Sequence, residues 1–462
     1  MERPAWVPNA VFYEVFVDRF ANGDHRNDPP GTVPWGSPPT REDFQGGDLQ
    51  GILDHLSYLE DRGVTALYLT PIFRSGTNHR YDTFDYLTVD PSVGDLSLLR
   101  RLVQKAHRRG IRVILDGVFN HCGDGHRAFE DLRRRGPASA YKDWFLVKSF
   151  PIEREPTSYQ TCGGAAYLPK LNIGNPEVRK HLLDVATYWI DETDIDGWRL
   201  DVSWKVPLDF WEEFRQVVKR HKPDAYLVGE NWRDGEPWLE VFDGIMNYRL
   251  RSAILDFCVW DRMDAEDFRV EVDYLMHRHG EASGWMLNLV GSHDTARLLT
   301  LANGDRRRAI LAFAALFTLP GAPMVYYGDE IGLEGGDDPD CRKAMQWDTR
   351  EWASDIALTF QQLADLRKAH PALQRGTWEP ALEFNGVFAY RRRQGRDDVM
   401  VVLNPREAQK NLAVPLPGSS SAVWTDLLGG SKAANSEGFL RVPTVEGTSA
   451  MILVPDPGDS HA

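Results

Sequence analysis

Residues 197–205 read GWRLDVSWK, a short apolar run that follows a long helical pattern and ends on a charged pair, Arg199 and Asp201. Side chains on a strand alternate with period two, so an Arg two positions before an Asp shares its face and becomes its partner. A fixed guanidinium favours the ionised form of a carboxylate beside it. Asp201 therefore reads as a positioned, ionised carboxylate, which is the equipment of a covalent nucleophile. The competing reading is a structural ion pair at a strand end, and for an isolated RxD it is the commoner one. The neighbouring strands decide between them.

Upstream, AVFYEVFVDRF (10–20), VTALYLTPIF (64–73) and IRVILDGVFNH (111–121) are apolar on both faces, as strands covered on both sides are, and they finish in polar groups. Helical patterns separate them, at 51–62 before Gly63 and at 96–109 before Gly110, the second with Leu98, Leu99, Leu102, Val103 and Ala106 on one stripe. Asn175 caps a further helix that carries Pro176 in its first turn. Downstream, a helix at 211–220 precedes AYLVGENW (225–232), and then come GIMNY (244–248), WMLNLVGSHDT (285–295) and PMVYYGDEIG (323–332). The spacing predicts eight parallel strands with helical crossovers, a (β/α)8 TIM barrel whose functional residues gather at the carboxyl ends of the strands. Asp116, His121, Asp201, Glu230, His293 and Asp294 all fall there.

The rhythm breaks at 121–174, which reads as a small inserted domain after strand 3, leaving 1–120 and 175–370 to the barrel. Beyond the helix at 357–368, alternating runs such as VFAYRRR (387–393) and VMVVLN (399–404) between Gly, Pro and Asn predict a C-terminal antiparallel β-sandwich over 371–462. Its last residues, DPGDSHA, read as frayed.

The loop ANGDHRNDPPG (21–31) offers Asn22, Asp24, Asn27 and Asp28, and GGD (46–48) adds Gly46 and Asp48. Calcium takes six to eight such oxygens, although Asn, Asp and Gly also crowd turns for backbone reasons. A formal charge of -15 from 53 basic and 68 acidic residues argues against nucleic-acid and anionic-membrane partners. No apolar run is long enough for a membrane span, and no secretory leader is visible in the first residues. The four cysteines lack CxxC spacing, which fits reduced thiols in a cytoplasmic protein.

DGVFNH (116–121), GWRLDV (197–202), GEN (229–231) and GSHD (291–294), in that order, resemble the four diagnostic regions of the alpha-amylase family, glycoside hydrolase family 13. YLPKLN (167–172) and GGDDPDCR (335–342) resemble the neopullulanase, cyclomaltodextrinase and maltogenic amylase group within it. The resemblance implies a retaining α-glucan hydrolase that cleaves α-1,4-glucosidic bonds in starch, maltooligosaccharides, cyclodextrins or pullulan, with α-1,6 cleavage and transglycosylation as additional activities. It makes Asp201 the nucleophile, Glu230 the acid and base, and Asp294 the third carboxylate. Substrate contacts fall to Tyr81, Asp82, His121, Arg199, His293, Asp338 and Arg342, and on the acceptor side to Trp204, Lys205 and Trp232. It also favours structural calcium at Asn22, Asp24, Asn27, Asp28, Gly46 and Asp48.

Two features depart from the group. The chain starts almost at the first barrel strand, where the group carries an extra N-terminal domain that helps it dimerise, so either a monomer or a homodimer is expected. Ser203, Trp204 and Lys205 stand where the group has Ala-Asn-Glu, which bears on the leaving group. The rival readings are a glucanotransferase of the same family, a non-catalytic amylase-like binding protein, and a zinc hydrolase, which lacks its HxH strand end here.

Overall fold

In the computed structural model, which describes residues 2–456, the eight expected strands form one parallel sheet. They are β1 (Phe12–Val15), β2 (Ala66–Leu69), β3 (Arg112–Gly117), β4 (Gly197–Leu200), β5 (Tyr226–Gly229), β6 (Gly244–Ile245), β7 (Leu287–Leu289) and β8 (Ala322–Tyr326). Their order is β6-β5-β4-β3-β2-β1-β8-β7, and a parallel bridge from Met246 to Leu287 joins the two ends into a closed barrel.

Alternation along the strands sorts the side chains into two packed regions. Phe12, Ala66, Tyr68, Ile114, Tyr226, Val228, Leu289 and Met324 fill the interior. Tyr13, Val15, Leu67, Leu69, Trp198 and Leu200 meet the helices outside. Gly197 leaves room for a close strand approach, since a Cβ there would lie 2.0 Å from the Tyr226 carbonyl oxygen. Register then places Asp116 opposite Arg199 and Arg199 opposite Val228, one layer below Asp201 and Glu230.

The strands are shorter than their apolar runs suggest. After Val15 the chain makes a helical turn, Val17–Phe20, so Asp18 and Arg19 leave the sheet and pair with each other. The expected helix at 51–62 is two pieces, Leu49–Asp54 and Leu56–Asp61. They break at His55, whose Nδ1 meets the Gly51 carbonyl at 2.8 Å and whose ring stacks on Trp347. The helix Pro176–Thr193 starts as read, with the Asn175 side chain accepting from the Glu177 amide. A hairpin not anticipated from the sequence, Phe73–Arg74 with Asp85–Val89, carries the loop that holds Tyr81.

Residues 121–174 rise over the barrel mouth around the helix Arg127–Arg135, and a bridge from His121 to Lys170 ties them to the end of β3. The C-terminal unit is an eight-stranded antiparallel sheet: β9 (Glu379–Phe384), β10 (Val387–Gln394), β11 (Asp397–Asn404), β12 (Gln409–Pro415), β13 (Val423–Asp426), β14 (Lys432–Ser436), β15 (Phe439–Val445) and β16 (Ser449–Pro455). Its order, β9-β10-β11-β16-β13-β14-β15-β12, folds back into a sandwich around Val387, Met400, Val414, Trp424, Leu440 and Leu453. Phe388, Tyr390, Val401 and Ile452 face the barrel helices instead.

Two fully buried arginines lie along that seam, and Arg392 on β10 crosses it to Thr318. Arg367 donates to the carbonyls of Pro8, Phe317, Gly321 and Leu373, at 2.6 to 3.0 Å, and Arg392 donates to Thr318, Gly376 and Thr377. Burial brings them down to about 9 and about 10 respectively. Of the C-terminal DPGDSHA only Asp456 is described, and 457–462 lie outside the described residues. Among the described residues no helix is long and apolar enough to cross a membrane.

Candidate active site

Arg199, on β4, is wholly buried at the carboxyl end of the barrel. One terminal nitrogen lies 3.0 Å from Asp116 Oδ2 and 2.9 Å from Asp201 Oδ1, and the other lies 2.9 Å from Glu230 Oε2. One guanidinium thus gathers carboxylates from the ends of β3, β4 and β5, a fork that a lysine could not reproduce. Glu230 Oε2 also accepts from the Val202 amide at 2.8 Å, and Val202 takes a left-handed conformation (φ 45°) that turns this amide inward. Glu230 Oε1 accepts from the Trp232 indole at 2.6 Å.

Asp294 joins through a second set of contacts. Its Oδ2 is 3.2 Å from His293 Nε2, and Arg342 donates to its Oδ1 at 3.2 Å. The Tyr81 hydroxyl lies 2.7 Å from His293 Nε2 and donates to Asp116 Oδ2 at 2.8 Å. Asp201, Glu230 and Asp294 therefore belong to one continuous polar network. Arg342 further holds Asp338 at 3.1 Å, and Arg41 reaches the same carboxylate at 3.0 Å. A hollow of about 540 Å³ opens there between Tyr81, His79, Tyr167, Asp338 and Arg342.

The ionisation expected of Asp201 from Arg199 alone needs correction. Burial pushes its carboxyl well above the usual range, Arg199 pulls it down, and Glu230, Asp116 and Asp294 push it up again. Burial also raises Asp294, but His293, Arg342 and Arg199 more than offset this and hold it low. The same cluster therefore pushes Asp201 and Asp294 in opposite directions. Burial brings His121 down to about 4, so it is a neutral imidazole. Its Nε2 and Asp201 Oδ2 are buried with no partner in the protein, as atoms that await a ligand are.

The other expected contacts divide. Trp232 is 42% exposed and stacks on Tyr248 at 3.9 Å, which leaves it a free edge at the mouth. Trp204 and Lys205 sit on the turn Ser203–Lys205 after β4, half-buried and exposed respectively. Asp82, expected as a substrate contact, accepts from Thr77 and from the Gly76 amide and so also shapes its own loop. Glu14 was not among the expected site residues, and Asp116 was expected at a strand end without a role. Asp116 carried a signal, as the strand-end acid of DGVFNH, whereas nothing in the run around Glu14 separates it from ordinary strand residues.

The loop after β1 brings most of the expected calcium ligands together. Asn22 donates to Asp28 at 2.7 Å, Asn27 donates to Asp48 at 2.9 Å, and a Cβ at Gly46 would lie within 2.4 Å of both Asn22 and Asp28. The side-chain oxygens of Asn22 and Asn27 are buried without partners. Asp24 donates its amide to Asp48 at 2.9 Å, while its carboxylate accepts from Arg26 at 2.7 Å. Among the described residues, no three His, Cys, Asp or Glu side chains gather as a metal site, so any cation here must rely on amide and carbonyl oxygens as well.

Known proteins agree with this architecture. The alpha-amylase catalytic domain matches residues 14–376. The cyclomaltodextrinase of Geobacillus thermopakistaniensis (strain MAS1) is 46% identical over 441 residues, 94% of this chain and 75% of that protein. Neopullulanase 2 of Thermoactinomyces vulgaris is 43% identical over 460 residues, 97% of this chain and 78% of the other. The ligand-free cyclic α-maltosyl-(1→6)-maltose hydrolase from Arthrobacter globiformis superposes with a TM-score of 0.90 at 42% identity, covering 98% of this chain and 99% of its own. The chain belongs to the alpha-amylase family.

Proposed function

We propose that the protein is a retaining α-glucan hydrolase acting on α-1,4-glucosidic bonds of short and cyclic glucans. The observation that carries this reading is the placement of Asp201 and Glu230 on the two terminal nitrogens of Arg199, with Asp294 linked to them through His293 and Tyr81. Retaining hydrolysis needs two carboxyl groups about 5 to 5.5 Å apart, one ionised and one protonated.

Asp201 attacks the anomeric carbon and forms a glycosyl ester. Glu230 protonates the departing oxygen and later takes a proton from water. Arg199 and the Val202 amide occupy Glu230 Oε2, so the transferred proton is carried on Oε1, on the lone pair not taken by the Trp232 indole. As positive charge develops on the sugar, it favours the ionised form of Asp201 and so reverses the effect of burial in the empty cleft. Asp294, His293 and Arg342 bind and orient the ring at the scissile bond. The names of the relatives, a cyclomaltodextrinase, a neopullulanase and a cyclic maltosyl-maltose hydrolase, favour small cyclic and mixed-linkage glucans over long starch chains.

The test is parallel incubation with soluble starch, pullulan, β-cyclodextrin and cyclic α-maltosyl-(1→6)-maltose, with products followed by chromatography and their anomeric form by NMR. Asp201→Asn and Glu230→Gln are expected to lower kcat by roughly three orders of magnitude or more. Inversion at the anomeric carbon, or near-normal turnover in either variant, would overturn the reading. Longer oligomers formed from concentrated maltotriose would make the protein a glucanotransferase.

A structural calcium ion fits the loop after β1. Asn22, Asn27, Asp28, Asp48 and the Gly46 carbonyl would hold it, on the strength of the two unpartnered amide oxygens. Bound there, calcium would supply charge that pins the loop, with no part in bond cleavage. We also infer a cytoplasmic location, supported by four free thiols at Cys122, Cys162, Cys258 and Cys341.

A further inference from the structure

Glu14 lies inside the barrel on β1, completely buried, in register with Tyr68 and Tyr326. Its Oε1 contacts His293 Nδ1, and its Oε2 has no partner. The opposite ring nitrogen, Nε2, faces Asp294 Oδ2 at 3.2 Å and the Tyr81 hydroxyl at 2.7 Å. Asp116 Oδ2 accepts from the Tyr68 hydroxyl at 2.5 Å and from Arg199 at 3.0 Å as well, so the Tyr81 proton can serve either Asp116 or Nε2, and the two carboxylates are the fixed acceptors around the ring.

Each ring nitrogen of His293 thus faces a carboxylate, Glu14 at Nδ1 and Asp294 at Nε2. A neutral imidazole carries a single N–H and would leave one side with opposed lone pairs. We propose that Glu14 is a positioning residue that holds His293 as an imidazolium, so that a fixed positive charge stands beside Asp294 and against the bound sugar. The proposal rests on the hydrolase reading and deepens it. Glu14 touches no substrate and acts through His293, much as a buried carboxylate steadies a catalytic imidazole elsewhere.

Other charged groups around His293 are consistent with this. Burial lowers it, but Asp294 and Glu14 more than offset that and leave it above its ordinary value, against a smaller opposing push from Arg199. His79 is driven down to about 3 by burial and by Arg342 and Arg80, so it carries no competing charge. Arg342 binds the His293 carbonyl at 2.9 Å, which fixes the backbone but leaves the ring nitrogens to Glu14 and Asp294. Asp294 stays ionised because an imidazolium adjoins it.

Glu14→Gln separates charge from shape, because the amide oxygen still accepts from Nδ1. The probe is 4-nitrophenyl α-maltoside, whose leaving group departs without protonation, so the alkaline limb of kcat/KM for this substrate reports His293 rather than Glu230. His293 keeps its proton below its folded pKa and loses it as pH rises through that value. Removing Glu14's charge should therefore move the alkaline limb at least about one pH unit toward acid and lower kcat/KM at neutral pH by about tenfold or more. An unchanged limb and rate in a folded Glu14→Gln protein would overturn the proposal. If that variant does not fold, imidazole ¹⁵N shifts of the wild type, assigned against His293→Asn, decide it. Two protonated nitrogens at pH 7 support the pairing, and a single protonated nitrogen refutes it. Because the NMR measurement needs no turnover, failure to hydrolyse any maltoside would count against the hydrolase reading and not against the pairing.

Discussion

Arg199 carries one positive charge that three carboxylates share. In Arg199→Lys the charge survives, but the two-sided fork does not. We expect kcat/KM to fall by at least about a hundredfold, with destabilisation on the order of 3 kcal/mol from acids left buried and unpaired; steady-state kinetics and urea unfolding check both. Alternation along β4 made the pairing of Arg199 with Asp201 legible in the sequence. Its electrostatic consequence was not, because the sign turns on how completely Asp201 is buried and on three acids brought in from other strands. Asp82 shows the opposite limit. A motif position names a residue type, but only the fold reveals that Thr77 and Gly76 also bond to its oxygens.

At the scale of single elements, the amino end of β4 is fastened separately from its catalytic end. Asp196 accepts from Arg112 at 2.7 Å, Lys222 at 3.0 Å, the Val113 amide at 2.8 Å and His107 at 2.6 Å, joining β3 and β4 to two helix ends. Burial raises its carboxyl, but these partners dominate and hold it at about 2. With the folded value depressed, the stabilisation is complete above the unfolded value near 4 and disappears as pH falls through about 2. It amounts to about 2 kcal/mol. Asp196→Asn should therefore be less stable than wild type at pH 6 by at least about that much, with the gap closing below pH 3 in denaturant titrations.

One residue further on, Gly197→Ala would drive a methyl into the Tyr226 backbone. A loss of roughly 3 kcal/mol or more is expected, visible as a lowered Tm. Gly197 opens the GWRLDVSWK run, yet only the β4–β5 register explains why it must be glycine. The helix at 51–62 was misjudged for a related reason, since His55 breaks it by stacking on Trp347, nearly three hundred residues away in the chain.

For the molecule as a whole, eight apolar runs ending in polar groups made the barrel legible, and alternating runs between turn residues did the same for the sandwich. Ring closure was not legible, because β6 is only two residues long and meets β7 through the single Met246–Leu287 bridge. The loop after β1 gives a global prediction. Calcium bound at a hundred times its dissociation constant would add about 2.7 kcal/mol, so EDTA should lower Tm and calcium restore it. Asp48→Asn should make Tm insensitive to both, and equal melting of the wild type with and without chelator would exclude the site.

Arg367 and Arg392 give the seam a consequence for how such enzymes can diversify. The Arg367 cup is built from the first residues, a barrel helix and the segments after it, and Arg392, on the sandwich strand β10, reaches back to the Thr318 carbonyl at the end of a barrel helix. The Arg392 contact therefore does not exist in one part alone. A foreign sheet spliced onto this barrel would have to arrive with a matching cation or leave the Thr318 carbonyl without that partner. Changes in the loops at the mouth, by contrast, leave this joint untouched.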